Sequence, residues 1–124
     1  MSPKKIIYNI LPILLYCLLI FSLSAKPSLH VSHDKIAHIL AFGGMGFLFF
    51  RCFRNYNFSF REAYAFAMLL TILYGIGDEV HQFYVPGRSC DVFDVLADSV
   101  GAFLGSPVYE FFYRFRFKKT SSSS

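Results

Sequence analysis

Histidine, carboxylate and lysine side chains stand at helical spacing in the second apolar stretch of this chain. Asp34 lies four residues and Lys35 three residues before His38. Residues three or four apart share one face of a helix, so both can reach His38. Carboxylates beside an imidazole can carry out general acid–base catalysis, and carboxylate oxygens also suit a divalent cation. This stretch therefore offers His38 as a candidate proton shuttle, with Lys35 as a candidate partner for an anion.

A second polar group ends the third apolar stretch. Glu79 and Gln82 stand three residues apart, and Asp78 stands at helical spacing from both His81 and Gln82. Glu79 is a candidate base or metal ligand, and Gln82 a candidate hydrogen-bonding group that orients a ligand. A short turn, Pro86-Gly87, follows and precedes Arg88, which could hold an anionic group.

A third group forms one stripe of the next helix. Asp91, Asp94 and Asp98 follow each other at three and four residues, and Gly101 and Gly105 continue the stripe. The two glycines predict close approach of another helix.

Each group also has a purely structural interpretation. Asp34 can cap a helix, Lys35 can reach the membrane interface, and His38 can be packed and hydrogen-bonded. Glu79 and Gln82 can be a solvated helix end, Arg88 a loop cation, and the aspartate stripe a structural network. The remaining histidines, His30, His33 and His81, are expected at the surface.

The composition places these groups in a membrane protein. Residues are 55% hydrophobic and only 16% charged, where about a quarter charged is typical of soluble domains. The net charge is +4, but the basic residues are dispersed beside apolar stretches rather than gathered in one patch. Anionic lipid headgroups are therefore the expected counterpart, and nucleic acid is not.

Four apolar stretches predict an all-α, polytopic membrane protein that forms a bundle of four transmembrane helices. The spans are expected at residues 6–24, 34–53, 62–83 and 91–113 of a single domain, 1–124, with a flexible polar tail at 118–124. The first span could instead be a cleaved signal peptide. Its apolar core is longer than the ~7–15 residues usual for such peptides, which favours a retained helix.

Basic residues predict the orientation. Nine of the 12 Lys and Arg residues fall on one side of the spans, and three on the other. The positive-inside rule then places both termini in the cytoplasm. The histidines and six of the eight carboxylates fall on the outer side.

Depth makes the aspartate stripe unusual. At 1.5 Å per residue, Asp98 lies roughly 10 Å inward of Asp91. An aspartate at the bilayer centre costs ~2.5–3.5 kcal/mol, and even a shallower one needs compensation. We therefore expect Asp94 and Asp98 to face the bundle interior, offset by a proton, a bound cation or a neighbouring side chain. The candidate neighbours are Lys35, His38 and Arg88.

The ordered set Asp34-Lys35-x-x-His38, Glu79-x-x-Gln82, Pro86-Gly87-Arg88 and Asp91-x-x-Asp94-x-x-x-Asp98-x-x-Gly101-x-x-x-Gly105 resembles the VanZ-like family of small bacterial membrane proteins. The resemblance covers roughly residues 30–106. It implies an integral membrane protein related to one associated with teicoplanin resistance. The family pattern often has Asn where this chain has Asp98.

Two functions follow from the sequence. The first is a site at the outer face that binds or acts on a cell-envelope lipid or a glycopeptide-related ligand. Its catalytic candidates are His38, Glu79, Asp94 and Asp98, and its ligand-binding candidates are Asp34, Lys35, Gln82, Arg88 and Asp91. The second is a non-enzymatic membrane interaction or transport component, for which a homo-oligomer would be needed because four spans leave little room for a path. The sequence identifies no cofactor and leaves a metal ion open.

Overall fold

The computed structural model describes residues 2–24, 34–86 and 92–121. Within these helices the side chains of Ser24, Asp34 and residues 117–121 are not described. The described residues are all-helical, with about nine-tenths of them in helices and no strands among them. The helices are α1 (Pro3–Ser24), α2 (Asp34–Asn55), α3 (Phe60–Phe83), α4 (Val92–Gly105) and α5 (Val108–Ser121).

The first three helices are long and apolar enough to cross a membrane, over Pro3–Leu23, Lys35–Asn55 and Phe60–Phe83. They match the first three expected spans to within a few residues. Pro12 lies inside α1 without ending it, as membrane helices tolerate because neighbouring groups can satisfy the freed carbonyl.

The expected fourth span, 91–113, is not one helix. It divides at Ser106 and Pro107 into α4 and α5, each of 14 residues. Pro107 has no N–H to continue the ladder of α4, and proline is well placed just at the start of a new helix. At 1.5 Å per residue α4 is about 21 Å long, shorter than a ~30 Å hydrocarbon core. Helix α5 extends to Ser121, into the segment expected to be a flexible tail.

A tight turn joins α2 to α3 and brings them side by side. Asn57 adopts a positive φ of 68°, a conformation that asparagine tolerates better than most residues. Ser59 then caps α3: its hydroxyl accepts from the N–H of Glu62, whose carboxylate in turn accepts from the N–H of Ser59. This capping box starts α3 two residues before the expected Glu62.

Helix α2 is the centre of the bundle and packs most extensively against α4, then against α3 and α1. Glycines allow the close approach of α2 and α4. A Cβ on Gly101 would lie 2.9 Å from the backbone nitrogen of Gly43, and one on Gly105 would fall on the Gly43 carbonyl. The close approach expected for Gly101 and Gly105 is therefore confirmed, with α2 as the partner.

The remaining faces of the helices suit contact with lipid. Large apolar side chains are exposed along one side of α1 and of α4; they include Leu14, Leu15, Leu18, Phe93, Leu96, Val100 and Phe103. The inner face of α4 carries small and polar residues, since α4 buries Asp94, Ala97, Asp98, Gly101 and Ala102. On α4 this pattern inverts that of a helix in a water-soluble bundle, as expected when the surrounding solvent is hydrocarbon.

Tyrosine hydroxyls tie α1 to the bundle. Tyr16 donates a hydrogen bond to the carbonyl of Ala41 on α2 at 2.5 Å, and Tyr74 on α3 donates to the carbonyl of Cys17 at 2.7 Å. Ile20 packs with Phe42 and Met45 in a buried apolar cluster beside them. Helix α1 is thus an integrated part of the fold.

Candidate functional site: a buried polar cluster shared by three helices

One end of the bundle buries an unusual set of polar side chains. The start of α2, the end of α3 and the start of α4 meet there because α3 runs antiparallel to its neighbours. The set comprises His38, Asp78, Glu79, Gln82, Asp94 and Asp98, all classed as buried. Asp94 and Asp98 therefore face the interior, as the sequence predicts.

His38 and Asp98 form a short contact between α2 and α4 within this polar cluster. Nδ1 of His38 lies 2.7 Å from Oδ1 of Asp98, whose side chain is fully buried. When Asp98 is ionised, its oxygen accepts from an Nδ1–H, which leaves the lone pair of the imidazole on Nε2. Asp98 thereby selects the tautomer of His38 and fixes the orientation of the ring.

Asp94 lies one turn nearer the helix start and has a different environment. Its Oδ1 accepts from the ammonium of Lys35 at 2.9 Å, and the side chain of Lys35 is 51% exposed. Its Oδ2 lies 3.9 Å from Nε2 of His38. His38 is therefore held between two carboxylates of α4, one reaching the surface through Lys35 and one enclosed.

Helix α3 contributes the third wall of the cluster. Gln82 donates to Oδ2 of Asp78 at 3.1 Å, both residues being buried. One ligand atom each from His38, Glu79 and Asp98 lie within 4.8 Å of one another. These three come from three different helices, so the fold itself brings them together.

Gly75 makes room for Asp98 against α3. A Cβ on Gly75 would lie 2.8 Å from Oδ2 of Asp98. Gly75 and Glu79 are four residues apart and share one face of α3, so this oxygen lies on the face that carries Glu79. Thr71, one turn before Gly75, is also fully buried. Sequence reasoning did not select Gly75 or Thr71, although their spacing from Glu79 could have indicated them.

The cluster carries an excess of acid among the described residues. Asp78, Glu79, Asp94 and Asp98 are buried carboxyl groups; Asp94 contacts Lys35 and Asp98 contacts His38. Buried ionised groups are costly unless paired. Protons, a ligand or a cation at this end of the bundle would lower that cost.

Comparison with known proteins agrees with these motifs. A family model described as VanZ/LLP1 matches residues 3–113. The chain belongs to the VanZ/LLP1 family. The match includes α1 to α4 and the first six residues of α5, and thus every helix that contributes to the polar cluster. No curated protein and no solved structure was found to match the chain. Family membership and the three apolar helices together identify a membrane protein.

Some residues selected from the sequence lie outside the described parts of this VanZ/LLP1 protein. Arg88 and Asp91 fall between Pro86 and Val92, and the expected surface residues His30 and His33 fall between α1 and α2. Asp34 begins α2, and its side chain is not among those described. His81, also expected at the surface, is partly buried and stacks on Phe21 of α1 with ring centroids 4.5 Å apart.

The opposite end of the VanZ/LLP1 bundle has a polar network of its own. Arg54 binds Glu110 through two hydrogen bonds, at 2.8 and 3.0 Å, and donates to the carbonyl of Phe58. Asn55 bridges Asn9 of α1 and Tyr109 of α5, at 2.6 and 3.1 Å. The sequence analysis did not select this network, which joins α1, α2 and α5 through pairs far apart in the chain.

Proposed function

We propose that this VanZ/LLP1 protein uses the polar cluster as a ligand-binding and acid–base site for a cell-envelope lipid or a glycopeptide-related ligand. The site is accessible from the outer face of the bacterial inner membrane, with both termini in the cytoplasm. The observation that carries the proposal is His38, buried between two carboxylates of unlike environment.

Unlike environments favour chemistry over simple packing. A carboxylate with a lysine partner at the surface and a carboxylate enclosed in protein differ in how readily they hold a proton. An imidazole between them can pass a proton from one to the other or to a bound ligand. Ionisable groups within membrane segments are also functional by default, because their insertion is costly.

The described contacts support distinct roles for the cluster residues. Asp98 orients His38, and His38 transfers the proton through Nε2. Lys35 holds an anionic headgroup, while Asp94 and Glu79 act as bases or ligands. Gln82 orients the ligand by its amide. The proposal also assigns ligand binding to Arg88, Asp34 and Asp91 from the sequence, since their side chains lie outside the described ones.

Aromatic and basic residues at the other end support the orientation. Arg51 stacks over Tyr8 at 4.1 Å, and Lys5 lies 5.0 Å from the ring centre of Tyr56. Such amphipathic pairs suit the headgroup level of a membrane. Together with the charge asymmetry, they favour a cytoplasmic position for that end and an outer position for the cluster.

The experiment compares the wild type with His38→Ala and Asp94→Asn. Each is expressed in a bacterial host and assayed for teicoplanin susceptibility, and lipid that copurifies in native membrane discs is identified by mass spectrometry. We expect both variants to lose the phenotype and the bound lipid at normal expression. Glu110→Gln is the matched control, because it neutralises a buried carboxylate at the opposite end. Unchanged phenotype and lipid in both site variants would refute the proposal.

A second function has one observation in its favour. Several polar groups of the cluster are already paired with one another, as in Lys35 with Asp94 and Gln82 with Asp78. A non-enzymatic interaction or transport component could use such a network to hold its helices. In that case Asp94→Asn would lower the thermal stability of the solubilised protein before it altered function. A functional site predicts the reverse, since residues retained for function often reduce stability.

A further inference from the structure

We propose that His38, Glu79 and Asp98 bind a divalent metal cation of the zinc or manganese type. The inference concerns the same site as the proposed function and rests on it only for location. It assigns a ligand set that the function itself does not require: with the cation bound, His38 acts as a ligand and no longer as the group that carries the proton.

The first support is geometric. The three residues each offer one ligand atom, and these atoms lie within 4.8 Å of one another. Two ligands of a tetrahedral zinc ion, each bound at ~2.0–2.2 Å, lie about 3.3–3.6 Å apart. Side-chain rotations that shorten the longest of the three separations by about 1.2–1.5 Å would bring all three atoms around one ion.

The second support is a carboxylate oxygen of Asp98 that makes no hydrogen bond within the described residues. Oδ2 of Asp98 is buried and has no hydrogen-bond partner among the described residues. It lies against Gly75, on the α3 face that also carries Glu79. A buried carboxylate oxygen without a partner is costly, and a cation between α3 and α4 would remove that cost.

The third support is the charge of the cluster. Four buried carboxyl groups lie together at this end of the bundle, Asp94 beside Lys35 and Asp98 beside His38 among them. A divalent cation among them would offset two negative charges. The donors are one imidazole and two carboxylates, a mixture that suits zinc and manganese better than softer metals.

The neighbouring residues resemble the outer shell of a metal site. Asp94 lies close to His38 and is itself held by Lys35. A partner of this kind orients a ligand. Three protein ligands leave a further coordination position for a ligand oxygen, so a bound cation could polarise a phosphoryl or carbonyl group.

The test measures metal binding by the full-length protein in detergent. The protein is stripped with chelator, equilibrated with zinc or manganese alone, desalted and analysed for metal per chain; melting temperature is followed over a metal titration. We expect about one equivalent in the wild type and a rising melting temperature. Loss of an outer-shell partner weakens metal sites ~10–100-fold, so His38→Gln, Glu79→Gln and Asp98→Asn should each weaken binding at least tenfold.

Two controls keep the assignment falsifiable. Asp78→Asn removes the neighbouring carboxyl group on the same helix, and Glu110→Gln removes one at the opposite end; both should keep the metal. No binding by the folded wild type overturns the inference. Equal loss in Asp78→Asn also overturns it, because binding would then follow net charge rather than these ligands.

The outcomes separate this inference from the proposed function. If the wild type binds no metal but His38→Ala still abolishes lipid binding, the function stands and the metal site fails. If metal binds through the three residues and the lipid and teicoplanin phenotypes do not change in the site variants, the metal site stands and the function fails.

Discussion

Nδ1 of His38 on α2 lies 2.7 Å from Oδ1 of Asp98 on α4, within a bundle that buries both side chains. The pair joins two helices across 60 residues of sequence. It rests on the close approach of those helices at Gly43, Gly101 and Gly105. The same contact that positions the imidazole also couples the two helices.

This pair predicts strong coupling between its members. His38→Ala leaves the carboxyl group of Asp98 without its imidazole partner, and truncating one member of a buried pair costs ~3–5 kcal/mol. Asp98→Asn keeps a carbonyl oxygen that can accept from Nδ1–H and removes a buried charge, so its stability should equal or exceed that of the wild type.

A double-mutant cycle measures the coupling by equilibrium unfolding in mixed micelles. His38→Ala combined with Asp98→Asn should recover part of the lost stability, with a coupling of ~0.5–3 kcal/mol. Additive effects of the two substitutions would show that the residues do not interact.

The helix contact predicts an asymmetric response to added methyl groups. Gly105→Ala would place a Cβ on the backbone of Gly43, so the helices must separate, at a cost of ~1–3 kcal/mol. Gly77→Ala meets nothing within 4 Å and should be neutral, or stabilising by ~0.5–1 kcal/mol because alanine favours the helix. Relative to the wild type, the melting temperature should fall in Gly105→Ala and should stay the same or rise in Gly77→Ala. Equal melting temperatures would contradict the close packing of α2 and α4.

Lys35 should matter for ligand binding as well as for stability. Its ammonium is about half-exposed, but the carboxyl group of its partner Asp94 is buried; exposed ion pairs contribute only ~0–1 kcal/mol, whereas removing one partner of a buried charge costs more. Lys35→Met should therefore melt below the wild type. When each protein is held in a bilayer with the cluster outward, the variant should bind vesicles that contain an anionic lipid less tightly than the wild type does. Added salt should lower the affinity of the wild type toward that of the variant. Unchanged affinity at low salt would remove Lys35 from the binding site.

The proposed orientation predicts where the carboxyl terminus lies. A green fluorescent protein fused after Ser124 should fold and fluoresce, and an alkaline phosphatase fused there should be inactive, because the cytoplasm suits the first and not the second. An active phosphatase fusion would place that terminus outside and reverse the position of the cluster. A phosphatase insertion after Pro86 provides the matched reporter for the other side.

Much of the polar cluster could be predicted because helical spacing is a local property. Asp94 and Asp98 share a face at any register of their helix, and the cost of exposing them to hydrocarbon predicts an inward direction. The partner of each side chain could not be predicted in this way. Asp34 and Lys35 both stand within reach of His38, yet Lys35 pairs with Asp94, because the choice depends on how α2 and α4 are aligned.

The division of the fourth span and the second polar network were missed for related reasons. A proline can be tolerated within one membrane helix and can mark the end of another. Helix α1 passes through Pro12 without interruption, whereas Pro107 lies between the end of α4 and the start of α5. Asn9 stands alone in an apolar stretch, and Glu110 stands among basic residues. Each was a polar residue in an unexpected place, but its partner lies more than 40 residues away.

The most direct measurement of the central claim is the distance between the His38 imidazole and the Asp98 carboxyl group in a lipid bilayer. Solid-state nuclear magnetic resonance can detect dipolar coupling between ¹⁵N-labelled histidine and ¹³Cγ-labelled aspartate in proteoliposomes, with Asp98→Asn as the reference that identifies the signal. The account predicts coupling from an Nδ1–H in hydrogen-bond contact with Asp98, which is lost in the reference. Identical signals in both samples would contradict it, since His38 would then lie apart from Asp98 and the three helices would share no polar site.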